Sequence, residues 1–276
     1  MADTAATIRL GDLTVARIGY GAMQLCGPGV WGPPPDAGNA VRVLRCAVDL
    51  GATFIDTADS YGPGNNEELI RQALYPYPEE LVIGTKGGLV RPGPDLWEPL
   101  GRPAYLRQSV ELSLRRLGLE RIDLYQLHRV DSEVPLADQI GELKNLQAEG
   151  KIRHIGLSEV SVDVIEQARA VAEVVSVQNI YNVQLRHHDK VLDYAAANGL
   201  VFIPFFPLGG GERTDLADAV AAAGVSRAQL LLAWLLQRSP AVLAIPGTAS
   251  IDHVKENLAA ASLDLPAELI ASLDEL

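Results

Sequence analysis

Phe54-Ile55-Asp56-Thr57-Ala58-Asp59-Ser60-Tyr61-Gly62 joins a short apolar run to a polar loop. With Thr53 before it, the run reads as a buried strand. The strand stops at Asp56, and a Gly- and Pro-containing loop continues to Asn66. The pattern then predicts a helix, with Asn66 as its cap. Glu67 and Glu68 fall in its first turn, where carboxylates suit the helix dipole. A carboxylate therefore stands at a strand tip and a phenol stands in the loop above it. Strand–helix barrels carry their chemistry at this edge, because the loops there vary without disturbing the packed strands.

Moving outward, the same unit recurs. Before it, Ile8-Arg9-Leu10 and Leu13-Thr14-Val15 flank Gly11-Asp12 and predict a hairpin that could plug the bottom of a barrel. Arg17–Tyr20 reads as the first barrel strand, followed by a long Gly- and Pro-rich loop from Gly27 to Gly38 and a helix over Val41–Leu50 that stops at Gly51. After Thr53–Asp56 come strands at Leu81–Thr85, Ile122–Leu127, Ile152–Gly156, Val174–Gln178, Leu200–Pro204 and Val242–Ile245. Helices follow them at Glu67–Leu74, Pro103–Leu117, Leu136–Glu149, Val162–Ala172, Lys190–Asn198, Thr214–Arg238 and Ile251–Ala261, and an extra helix, Ala267–Leu273, ends the chain. The strands are apolar through most of their length, as in a parallel sheet buried on both faces. Eight strand–helix units predict an α/β fold, a closed (β/α)8 TIM barrel with an N-terminal β-hairpin and a C-terminal extra helix, forming a single domain over 1–276. An open doubly wound sheet is disfavoured, because no G-x-G-x-x-G follows the first strand.

Composition narrows the function. The chain has 276 residues, 48% of them hydrophobic, and a net charge of -12. Such acidity argues against nonspecific nucleic-acid binding and against adhesion to anionic membranes. Cys26 and Cys46 are the only cysteines and form no C-x-x-C pair, which fits a reducing cytoplasm. Met1–Thr7 lacks the pattern of a signal peptide, and no apolar run is long enough to span a bilayer. The five histidines, His128, His154, His187, His188 and His253, show no zinc-ligand spacing, so no metal is expected.

In a barrel the strand tips converge. Asp56, Lys86, His128, Ser158 and Gln178 stand at or just beyond the tips of adjacent strands, with Tyr61 nearby. A Lys86 ammonium beside the Tyr61 phenol would lower its pKa from ~10 toward neutrality. Asp56 could hold that ammonium in place. A tuned phenol is a general acid suited to protonating a developing alkoxide, and His128 could orient the same carbonyl oxygen. Met23, Trp31, Trp97, Arg129 and Phe206 lie in loops after strands and are candidate substrate contacts. The loop Pro246-Gly247-Thr248-Ala249-Ser250 runs into a helix N-terminus, a setting suited to phosphate oxygens.

These residues resemble the aldo-keto reductase superfamily from Gly19 to about Leu263. The resemblance rests on the opening stretch, on Thr85-Lys86, on Asp123-Leu124-Tyr125-Gln126-Leu127-His128, on Lys151–Ser158, and on Ile245-Pro246-Gly247-Thr248 with Lys255-Glu256-Asn257-Leu258. Gly19–Leu25 and Phe205-Phe206-Pro207-Leu208-Gly209 resemble a bacterial branch that includes pyridoxal reductases. The resemblance implies a catalytic tetrad of Asp56, Tyr61, Lys86 and His128. It implies hydride transfer from NADPH to an aldehyde or ketone, with Tyr61 as the acid. It also implies cofactor contacts at Gly21, Ser158, Glu159, Gln178, Phe205, Pro207, Leu208, Gly209, Gly247, Thr248, Ser250, His253, Glu256 and Asn257.

Four positions depart from the family pattern. Glu159 stands where Asn is usual, and a carboxylate accepts from the nicotinamide amide but cannot donate to it. Phe205 replaces a stacking Tyr. Gly247 and His253 replace a common Lys and Arg near the adenosine 2′-phosphate. An ordinary histidine is mostly neutral at pH 7, so the NADPH preference is expected to be softer than in Arg-bearing relatives and stronger at lower pH, with NADH the weaker donor. The partner expected is a small-molecule carbonyl substrate, the protein a cytoplasmic monomer. The rival is a cofactor-binding regulatory subunit of the same fold with little turnover.

Overall fold

The computed structural model describes residues 7–210 and 216–275. Strands β1 (Thr7–Leu10) and β2 (Leu13–Ala16) pair antiparallel as the expected hairpin. Seven parallel strands follow: β3 (Tyr20–Gly21), β4 (Phe54–Asp56), β5 (Val82–Gly87), β8 (Ile122–Leu127), β9 (Ile152–Ser158), β10 (Ser176–Ile180) and β11 (Val201–Phe205). Two short strands, β6 (Leu89–Val90) and β7 (Glu98–Pro99), make a second hairpin in the loop after β5.

The seven-stranded sheet closes on itself through 242–246. Phe202 bridges Val242, and Ile18 bridges Ala244. The hydrogen bonds Leu243 N to Phe202 O (3.0 Å), Gly19 N to Ala244 O (2.8 Å) and Gly21 N to Pro246 O (3.2 Å) complete the ring. The eighth unit is therefore present, but as isolated bridges rather than the continuous strand Val242–Ile245. The first strand is likewise shorter than Arg17–Tyr20. Arg17 instead spends its guanidinium on the carbonyls of Leu236, Ser239 and Val242.

Two apolar layers result. Inside the barrel, Phe54, Val82, Leu124, Val175, Val201, Ile203 and Leu243 pack together, and Leu10 and Val15 of the hairpin plug the bottom. Gly84 leaves room for the Phe54 ring, since a Cβ there would meet it at 2.8 Å. Outside, the helices bury their apolar faces on the strands. They are α1 (Ala37–Asp49), α2 (Asn65–Leu74), α3 (Pro103–Leu117), α4 (Leu136–Ala148), α5 (Val162–Arg169), α6 (Asp189–Ala197), α7 (Ala217–Ala223), α8 (Arg227–Arg238), α9 (Ile251–Ala259) and α10 (Ala267–Asp274). No helix among the described residues is long and apolar enough to cross a membrane.

Three expected elements differ. The helix Thr214–Arg238 is two helices, and Thr214 lies outside the described residues. Gly224, at φ 64°, ends α7, and Ser226 opens α8 through a reciprocal capping box with Gln229. Helix α5 stops short of Ala172, where the Val171 amide turns from the regular helical partner to the Ala168 carbonyl. Asn66 does not cap α2. Gly64 holds that position, and Asn66 lies inside the helix, buried.

Candidate active site

The β4 tip and the loop above it are built around buried polar groups. The Asn66 amide donates to the Ala22 carbonyl (2.9 Å) and accepts from the Thr57 hydroxyl (2.7 Å). Glu67, fully buried, pairs with Arg116 (2.6 Å) and accepts from Thr85 (2.6 Å). Gly62, at φ 60°, turns the chain where a Cβ would strike the Gly32 carbonyl. These contacts fix the loop that carries Ser60 and Tyr61.

Four side chains meet at the top of the barrel. Lys86, inside β5 rather than beyond it, is fully buried. Its Nζ lies 2.6 Å from Asp56 Oδ1, and it donates to the Thr57 carbonyl (2.9 Å) and to the Tyr61 hydroxyl (3.3 Å). The amides of Gln178 (2.8 Å) and Gln126 (3.3 Å) donate to Asp56 Oδ2. The His128 ring stands edge-on to the Tyr61 ring, 5.9 Å between centroids, and its Nδ1 lies 3.2 Å from Ser60 Oγ.

Burial sets the protonation states here. It pushes the Tyr61 phenol up, and the Lys86 charge only partly opposes it. This reverses the downward shift expected from charge alone. Asp56 neutralises the ammonium that was to lower the phenol, so desolvation wins. Burial also works against the Lys86 ammonium, but Asp56 and Tyr61 outweigh it and the net direction is up. His128 is held well below the ordinary histidine value, first by burial and then by the Lys86, Arg129 and Arg91 charges. The imidazole is neutral at pH 7, and the phenol keeps its proton.

A cavity of about 840 Å³ opens above these groups. Asp56, Tyr61, His128, Ser158 and Gln178 line its floor, and Met23, Leu89, Trp97, Pro99, Arg129 and Phe206 its walls. It continues past Phe205, Pro207, Leu208 and Gly209 to Gly21, Ile245, Pro246 and Gly247. Arg129 donates to Ser158 Oγ (3.1 Å) and to the His128 carbonyl (2.6 Å). Trp31 does not line the cavity; its ring lies behind Arg91. Glu159 sits outside too. Its backbone has φ 55°, a conformation Asn tolerates better than Glu, and its carboxylate accepts from the Ile180 amide at 2.6 Å. Thr248, Ser250, His253, Glu256 and Asn257 lie beyond the cavity's end. Ser250 caps α9, and His253 Nδ1 is 3.2 Å from Thr248 Oγ1.

Sequence reading missed Gln24, Ser60, Leu89, Pro99, Gln126 and Ile180. Gln126 carried a signal. Strand residues alternate faces, so Leu124, Gln126 and His128 share the one that reaches the barrel interior.

Residues 17–276 match the model of the Aldo/keto reductase family. An uncharacterized oxidoreductase, C215.11c of Schizosaccharomyces pombe, is 49% identical, covering 99% of this chain and 90% of its own. The pyridoxine 4-dehydrogenase of Escherichia coli is 44% identical, covering 97% of each. Among solved structures, an aldo-keto reductase from Klebsiella pneumoniae in complex with NADPH is 31% identical, with a TM-score of 0.83 over 98% of this chain and 94% of that one. With the closed barrel and the polar cluster at its top, these matches show that the chain belongs to the aldo/keto reductase family.

Proposed function

We propose that the protein reduces an aldehyde or ketone to an alcohol with NADPH, and that Tyr61 is the general acid. One observation carries this reading: a phenol that keeps its proton stands beside the buried Lys86–Asp56 pair, at the floor of an open cavity. A carbonyl oxygen that gains charge beside Tyr61 takes the phenolic proton. Lys86, 3.3 Å away, then offsets the phenolate charge. Neutral His128, with Nδ1 engaged by Ser60, leaves its other ring nitrogen for the same oxygen.

The residues fit a dinucleotide. The cavity runs from Tyr61 to Gly247 beside the α9 N-terminus, and Asn257 Oδ1 is a fully buried acceptor with no partner. Ser158, Gln178 and Phe205 would hold the nicotinamide end. Gly21 and Pro207–Gly209 would border the diphosphate, and Gly247, Thr248, Ser250, His253, Glu256 and Asn257 the adenosine phosphate end. When bound, the reduced cofactor supplies the hydride. Met23, Trp97, Arg129 and Phe206 are left to contact the substrate. The name of the Escherichia coli relative makes pyridoxal a substrate to include.

The test is loss of reduced-nicotinamide absorbance when purified protein meets a panel of aldehydes and ketones. Turnover of at least one carbonyl compound is expected; no turnover across the panel would overturn the reading in favour of a cofactor-binding subunit. The same reading takes the protein as a cytoplasmic monomer, and light scattering showing a concentration-independent dimer would contradict the monomer.

A further inference from the structure

Arg91 stands against Trp97, a residue of the cavity wall, and supplies one of the charges near His128. It follows β6, and Trp97 precedes β7. The β6–β7 register pairs Leu89 with Pro99 and Val90 with Glu98, so Arg91 and Trp97 are the next facing pair. The guanidinium lies 3.4 Å from the centroid of the Trp97 ring and 5.8 Å from that of Trp31.

Its four hydrogen bonds all go to main-chain carbonyls, from three loops. Nε donates to Leu96 (2.8 Å) in its own loop. Nη1 donates to Val30 (2.9 Å) and Ser60 (3.0 Å), and Nη2 to Gly29 (2.7 Å). Ser60 is the residue whose hydroxyl meets His128. Val30 holds φ 51° and Asp95 φ 56°, and such backbone persists only where neighbours over-determine it. The Trp97 ring in turn stands edge-on to Tyr61 and to His128, 6.5 Å from each.

We infer that Arg91 is a positioning residue that assembles the substrate wall, tying the loops after the first, second and third barrel strands together and holding Trp97 against Tyr61 and His128. The inference rests on the proposed carbonyl reduction and deepens it: Arg91 sets the fit for flat, bulky carbonyl compounds, which reach Trp97, and leaves small aliphatic ones little affected. An ammonium cannot replace it, because the planar fork reaches several carbonyls while stacking on the indole.

The experiment compares wild type, Arg91→Ala, Arg91→Lys and Trp97→Leu with 4-nitrobenzaldehyde and propanal, and measures NADPH affinity by fluorescence. Arg91→Ala and Trp97→Leu should raise KM for 4-nitrobenzaldehyde about tenfold; in Arg91→Ala propanal should change by less than about threefold and NADPH affinity by less than about twofold. Arg91→Lys should stay impaired. Millimolar guanidinium should restore Arg91→Ala but not Trp97→Leu. Wild-type KM values in Arg91→Ala would overturn the inference. So would equal losses for both aldehydes and for NADPH, the sign of a general structural role. If Arg91→Ala does not fold, Arg91→Lys carries the same comparison.

A readout without turnover separates this inference from the functional reading. Arg91→Ala should change tryptophan emission, guanidinium should reverse the change, and the Trp97→Phe background should reduce it to the smaller part that comes from Trp31. If wild type reduces neither these aldehydes nor any compound of the panel, carbonyl reduction fails while the clamp is still judged by emission. An emission spectrum indifferent to Arg91 would sink the clamp alone.

Discussion

Lys86 and Asp56 form a buried ion pair of 2.6 Å. The carboxylate is further satisfied by the amides of Gln126 and Gln178, so the ammonium has one well-defined place, under the Tyr61 hydroxyl. Breaking such a pair on one side leaves an uncompensated charge.

Lys86→Met should therefore destabilise the fold by about 3–5 kcal/mol. Asp56→Asn combined with Lys86→Met should lose distinctly less, because no buried charge is stranded. Urea unfolding of the three proteins measures this. Equal losses for the single and double variants would show that the pair is not what holds the barrel top together.

Asp59, two residues before Tyr61, accepts from Ser109, while its other oxygen is buried without a partner. Burial pushes its carboxyl from 3.8 up to about 7. The folded state thus keeps a proton that the unfolded chain has released between these values. The resulting stability is full below the unfolded pKa and is lost as pH rises through about 7. Asp59→Asn removes the titration and keeps an acceptor for Ser109. The variant should gain on wild type in Tm as pH rises from about 5 to 8. A Tm difference that is flat with pH would contradict the assignment.

His128 is buried among cations, so it should stay neutral well below the ordinary histidine range. NMR titration of the ring should show no protonation between about pH 6 and 8. Ser60→Ala removes the contact to Nδ1 and should slow turnover by up to about tenfold. A histidine titrating near its ordinary value would refute the first expectation, and unaltered turnover in Ser60→Ala the second.

In the proposed reading, cofactor choice rests on a small set of groups at the α9 N-terminus. His253, exposed and linked to Thr248, is the side chain proposed to meet a 2′-phosphate there. NADPH should be preferred over NADH, and His253→Ala should narrow the ratio of their kcat/KM values. An unaltered ratio would remove His253 from the site.

The eight units were legible because each strand is an apolar run closed by polar loop residues. The strand-tip cluster was legible because its members end adjacent strands. The closing segment 242–246 has the composition of a strand, but only two bridges hold it, and pairing geometry is not written in composition. Asn66 reads as a cap from its neighbours, yet tertiary partners at Ala22 and Thr57 pull it into the helix interior. The split at Gly224 and Ser226 did carry a local signal, a stop followed by a capping box. Arg91 did not, since its partners lie in three separate loops. The direction of the Tyr61 shift depends on burial, which proximity in sequence does not reveal.

The central claim is that Tyr61 gives its proton to the substrate oxygen. It is tested most directly by kcat for carbonyl reduction in Tyr61→Phe, with NADPH affinity measured beside it. A fall of about 100- to 10,000-fold with cofactor affinity nearly unchanged is the predicted result. Near-normal turnover in the variant would contradict the account.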